Sequence, residues 1–147
     1  MKVIISEEQL RLIVESENER KLLNVPGNLF YDKWKVILDN YKKKGFDGIK
    51  VLGGLREDKE DKDLDIIFDN VVEVEGYLDL NYTNIKSLGN LEYVGGNLYL
   101  AHCRKIKSLG NLKYVGGNLF IDSSPLVKLS DEVIRSQVEI KGEIIRK

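Results

Sequence analysis

The sequence predicts an α+β protein in which an N-terminal helical cap is followed by a short β-solenoid, a stack of about four coils of 20–21 residues. Three observations predict it. A 16-residue segment recurs almost unchanged 21 residues downstream. Within each copy the apolar residues fall at a spacing of three and then of two, the latter being the period of a strand. The first 50 residues lack the repeat and set their apolar residues at helical spacing instead.

From the N-terminus, Ser6-Glu7-Glu8-Gln9 has the form of a capping box, and Leu10, Ile13 and Val14 follow on one helical face, which predicts a first helix over about residues 6–20. A second helix is expected after a turn at Val25-Pro26-Gly27. Its stripe is Phe30, Trp34, Ile37, Leu38 and Tyr41; Lys42, Lys43 and Lys44 suit the negative end of its dipole, and Gly45 can end it. A loose join follows at Gly53-Gly54, then a charged run from Arg56 to Asp63.

The segment Ile85–Leu100 returns as Ile106–Ile121 with 13 of 16 positions identical. A weaker copy upstream aligns Val74–Leu80 with Val94–Leu100, and downstream Leu126 and Leu129 keep the spacing of Ile85 and Leu88. Val138-Glu139-Ile140 and Ile144-Ile145 continue apolar but out of period. In one coil Ile85, Leu88, Leu91, Val94, Leu98 and Leu100 are the expected interior. Leu98 and Leu100 point inward and Tyr99 outward, so that a coil is one strand and two bends, with glycines at positive φ in the corners. Such a coil cannot bury its own leucines; stacking about 4.8 Å apart joins them into one interior column. The expected division is a two-helix cap at 1–50, a repeat stack at 51–129 and a C-terminal cap at 130–147, folding as one cooperative domain.

Composition narrows the function. The 147 residues are 42% hydrophobic and carry 23 Lys and Arg against 24 Asp and Glu, a net charge of −1, which excludes a disordered chain and provides no global field for nucleic acid or an anionic membrane. No apolar run approaches the roughly 20 residues that span a bilayer, so neither signal peptide nor anchor is predicted. The single Cys103 and single His102 permit no disulfide framework and no four-ligand zinc site, and fit a reducing cytoplasm.

The pattern V-x-G-x-L-x-L followed by I-K-S-L-G-N-L, spanning residues 64–129, resembles the short leucine-rich-type repeats of many bacteriophage-encoded proteins, and is similar to the L domains of receptor ectodomains. The Ile5-Ser-Glu-Glu-Gln-Leu10 start before a short helical region also looks phage-like. The sequence departs from long horseshoe proteins in having few coils and in lacking the full L-x-x-L-x-L-x-x-N-x-L consensus, so a nearly straight stack is expected. The resemblance implies a recognition scaffold, and phage origin implies a target in the host cytoplasm.

Candidate chemistry is sparse. His102 and Cys103, neighbours on a strand, face opposite ways and cannot form a dyad directly; they read as a variable corner. Asp61, Asp63 and Asp65 alternate as in a calcium loop, with Asp69 further on, but Ile66 stands where the turn needs Gly and Val72 where it needs Glu, which predicts a solvated connector. The Gly-Gly pairs fit no nucleotide-binding fingerprint. Outward positions are more informative. Asp79, Tyr99 and Phe120 are expected to stack as one column on the strand face, and Tyr93 and Tyr114 as another near the bend, serving as ladder, contact surface or both. The loops 81–84, 101–105 and 122–125 differ most between coils, and Arg104 and Lys105 are the charged pair among them.

The expected function is therefore a non-enzymatic module, without cofactor or metal, that binds a host protein through Asp79, Tyr99, Phe120, Tyr93, Tyr114, Arg104 and Lys105, inhibiting a host enzyme or a defence system as anti-CRISPR-type factors do. The alternatives are a self-associating assembly protein and a nucleic-acid mimic or a binder using Lys35, Lys42, Lys43 and Lys44. Homo-oligomers are compatible with the sequence, a nucleic-acid partner ranks low, and no membrane partner is expected.

Overall fold

The computed structural model describes residues 20–56 and 64–146. Over these residues the chain is α+β, with few helices and two parallel sheets. In chain order the elements are β1 (Leu22–Pro26), α1 (Gly27–Tyr41), β2 (Gly48–Leu52), β3 (Leu55–Arg56), α2 (Leu64–Phe68) and β4 (Val71–Val74). There follow β5 (Leu78–Asp79), β6 (Tyr93–Val94), β7 (Leu98–Tyr99), β8 (Tyr114–Val115), β9 (Leu119–Phe120), a 3₁₀ turn (Pro125–Lys128), α3 (Asp131–Gln137), β10 (Glu139–Ile140) and β11 (Ile144–Ile145). Six strands form the first sheet, ordered β1-β2-β4-β6-β8-β10, and five the second, β11-β9-β7-β5-β3.

Each repeat gives one short strand to each sheet, where the sequence predicts only one strand per coil. Val94 and Leu98 both face inward with no exposure, and the three residues Gly95-Gly96-Asn97 turn the corner between them. The column Leu55, Leu78, Leu98, Leu119 and Ile144 runs in register through the second sheet, and the column Val51, Val74, Val94, Val115 and Ile140 through the first. A parallel bridge between Ser87 and Ser108 links the repeats on the arm before these strands. Ile85, Leu88, Leu91 and Leu100 complete the buried interior as predicted.

The corner glycines work differently from the expectation. Gly89 and Gly110 do take positive φ, 53° and 59°. Gly95 and Gly116 do not; a Cβ on Gly95 would collide with the Glu75 carbonyl oxygen, and one on Gly116 with that of Gly95. They are glycines because the backbones of successive repeats pass too close for a side chain. Asparagines then tie the corners: Asn118 N donates to Asn97 Oδ1 at 2.7 Å, and Glu143 N to Asn118 Oδ1 at 2.8 Å.

Both flanks join the sheets instead of only covering them. Within 1–50, β1 and β2 pair in parallel and extend the first sheet, so Val25-Pro26 ends a strand and is no turn. The predicted first helix falls almost wholly outside the described residues. The second is α1, with a kink at Lys33 (φ −125°); Phe30 and Tyr41 are buried, Trp34, Ile37 and Leu38 pack on the core, and Gly45 follows at φ 86°. Gly53-Gly54, expected as a loose join, is the first corner, between β2 and β3. At the other end, 130–147 adds β10 and β11, which pair with β8 and β9. The α3 helix is capped by Ser130, whose Oγ accepts from Val133 N at 3.2 Å. Its Arg135 donates to Ile140 O at 2.8 Å and Gly142 O at 2.9 Å, occupying carbonyls of the last repeat.

Candidate partner-binding surface

The period-two alternation that buries Leu98 and Leu119 turns Tyr99 and Phe120 outward. The structure brings them together: register places Arg56, Asp79, Tyr99, Phe120 and Ile145 in one row across the second sheet. The Tyr99 and Phe120 rings stack 4.7 Å apart and 12° from parallel. Asp79 lies beside Arg56 at 3.7 Å, so the row passes from an ion pair to rings to an aliphatic side chain. Asn97 Nδ2 donates to the Tyr99 hydroxyl at 3.0 Å, fixing that ring from the corner.

Tyr93 and Tyr114 stack 4.8 Å apart on the first sheet, in a row with Lys50, Glu73 and Glu139. Their rings lie beside the corner glycines, Tyr93 next to Gly95 and Tyr114 next to Gly116. The Gly-Gly-Asn corner is thereby flanked on both sides by stacked rings. Tyr77, 46% exposed, lies against Gly54 one repeat earlier. Arg104 and Lys105 stand apart from both rows, exposed at the corner after β7.

No protein-family model, curated protein or solved structure matches the chain. What the surface does must be read from its own residues.

Two further groups bear on chemistry. Cys103 is fully buried; its Sγ lies 2.9 Å from Leu80 O and 3.6 Å from Thr83 Oγ1, and burial pushes the thiol up, so it stays protonated and unreactive. His102 faces the other way, where its ring stacks on Tyr82 at 4.5 Å, a pair the sequence reading missed. Asp65, one of the alternating carboxylates, accepts from Lys86 N at 3.1 Å, while Asp61 and Asp63 lie outside the described residues. Among the described residues no group of three or more His, Cys, Asp or Glu is placed to hold a metal ion, and no helix is long and apolar enough to cross a membrane.

On the edge near Tyr93, Glu92 is held between Arg20 and Lys113, the latter at 3.0 Å. Burial alone would raise its carboxyl, but hydrogen bonds and charge from Arg20 and Lys113 outweigh that and hold it below the usual range. A carboxyl lowered on folding stabilises the fold above its unfolded value, about 4.3, and that stabilisation is lost as pH falls through the folded value. Wild type should therefore melt above Glu92→Gln at pH 7, and the gap should close as the pH drops below about 4. A gap that persists at pH 2.5 would remove the ion pairs as its cause.

Proposed function

We propose that the protein is a non-catalytic protein-binding module, a short leucine-rich-type β-solenoid of the kind bacteriophages encode, which grips a host protein in the host cytoplasm and blocks an enzyme or a defence factor. The observation that carries this is the outward stack of Tyr99 on Phe120, set in register between Asp79 and Ile145. Rigid, flat, amphipathic rings lose little entropy on contact and dominate protein interfaces. The stack is not needed to hold the fold, because a cross-strand pair contributes only about 0.2–1 kcal/mol. Tyr93, Tyr114, Arg104 and Lys105 widen the surface around the corners.

The test is native mass spectrometry of the tagged protein recovered from a host lysate. One stoichiometric host protein is expected with wild type, and its loss, by at least about a hundredfold in affinity, with Tyr99→Ser plus Phe120→Ser, a variant that still unfolds cooperatively. Retention by the double variant would remove the proposed face. Self-complexes alone would favour the assembly reading, against which stands Arg135, already bonded to the carbonyls that a further repeat would need.

A further inference from the structure

The turns after β5, β7 and β9 each hold a residue in the left-handed region: Tyr82 at φ 64°, His102 at 59° and Ser123 at 57°. Asn or Gly would serve such a turn with less strain than Tyr, so turn geometry does not explain the Tyr82 ring. The Tyr82 and His102 rings stack face to face, 4.5 Å apart and 4° from parallel, and Tyr82 at 68% is the most exposed large apolar side chain among the described residues. The next position of this column is Ser123, which brings no ring.

Cationic side chains gather beside the stack. Asn84 and Arg104 line an open hollow with the two rings. Lys105 and Lys107 follow on the chain, and Lys107 N donates to Lys86 O at 3.0 Å, which sets those two lysines on successive repeats at one edge. Lys86, Arg104, Lys105 and Lys107 are all exposed, and among the described residues none lies within 4.0 Å of a carboxylate oxygen. Two carboxylates are also near: Asp65 accepts from Lys86 N, and Asp122 lies 3.8 Å from His102 Nε2.

We propose that this corner binds single-stranded nucleic acid, its unstacked bases extending the Tyr82–His102 column and its phosphates pairing with Lys86, Arg104, Lys105 and Lys107. Every base has a π face, so stacking on exposed rings accepts any sequence, and flexible cations follow a backbone that a flat surface could not. A duplex keeps its bases stacked inside and cannot use the rings. The net charge of −1 provides no long-range field, so the affinity rests on these few groups. The site shares Arg104 and Lys105 with the surface proposed above but neither of its aromatic rows.

The experiment is fluorescence anisotropy with a labelled single strand of about 12 nucleotides and mixed sequence, the same strand as a duplex, and heparin as competitor. Single-strand binding is expected at low salt, with log K falling on log salt at a slope near −3, about −0.7 for each of four phosphates neutralised. Tyr82→Asn with His102→Asn keeps residues that tolerate the left-handed turn, and should weaken binding about tenfold or more at unchanged slope and melting temperature. Arg104→Glu with Lys105→Glu should abolish it. No binding at low salt overturns the proposal. So does equal affinity for duplex and single strand with no response to the two Asn substitutions, which is attraction to any polyanion.

Discussion

Leu98→Ala is expected to lower the free energy of unfolding by about 2–5 kcal/mol, and Leu119→Ala by as much. Both side chains are fully buried, and each sits directly over its counterpart in the next repeat, Leu78 over Leu98 over Leu119. Truncation removes apolar contact and leaves a cavity that backbone hydrogen bonds on either side prevent from collapsing: Leu98 N donates to Asn118 O at 2.9 Å, and Leu100 N to Phe120 O at 2.8 Å. Urea unfolding at constant m value measures the effect. The control is Val36→Ala on the solvent side of α1, where 60% exposure predicts a change within about 0.5 kcal/mol. Because Leu98 and Leu119 touch the same layer, the double variant should depart from additivity. A loss below about 1 kcal/mol at Leu98 would mean that the inward and outward faces are exchanged.

These leucines were legible in the sequence because the middle repeats are nearly identical and equally long. The outer repeats were not, and the reason is spacing. Glu139 pairs with Tyr114, 25 residues back, because α3 lengthens the last repeat, and Leu78 pairs with Leu55, 23 residues back, because the segment before α2 lengthens the first. What persists is an apolar pair four apart across each corner: Val51 and Leu55, Val74 and Leu78, Val94 and Leu98, Val115 and Leu119, Ile140 and Ile144. That pattern, tracked instead of the period, locates all five pairs of strands, whereas a search for a fixed period reads the ends as caps.

On the surface, Tyr99 with Phe120 and Tyr93 with Tyr114 could be read directly, since like residues one period apart must stack in a parallel register. Tyr82 with His102 could not. They are unlike residues in a turn, 20 apart where the following repeat is 21 long, and Tyr does not announce a left-handed backbone. Arg56 and Ile145, which end the Tyr99 row, were hidden with the outer repeats.

Glycine at the corners is the point at which sequence pattern and physical cause come apart, and Gly95→Ala separates them. The residue repeats as Gly95 and Gly116, which looks like a demand for positive φ, yet neither adopts it. The space for a Cβ is filled by the carbonyl oxygen of Glu75, a backbone atom with no rotamer to change. An added methyl must push whole repeats apart, against bonds from Gly95 N to Val74 O at 2.9 Å and from Gly96 N to Gly76 O at 2.9 Å. The expected loss is at the upper end of overpacking, about 3 kcal/mol. Gly45 gives the opposite case, φ 86° with nothing within 4 Å of a Cβ, so Gly45→Ala should cost only the strain of a left-handed alanine, about 1 kcal/mol. If conformational freedom were what the corners need, the two substitutions would match; if close approach is, Gly95→Ala should be clearly the worse in the same urea titration, and Gly116→Ala should follow it.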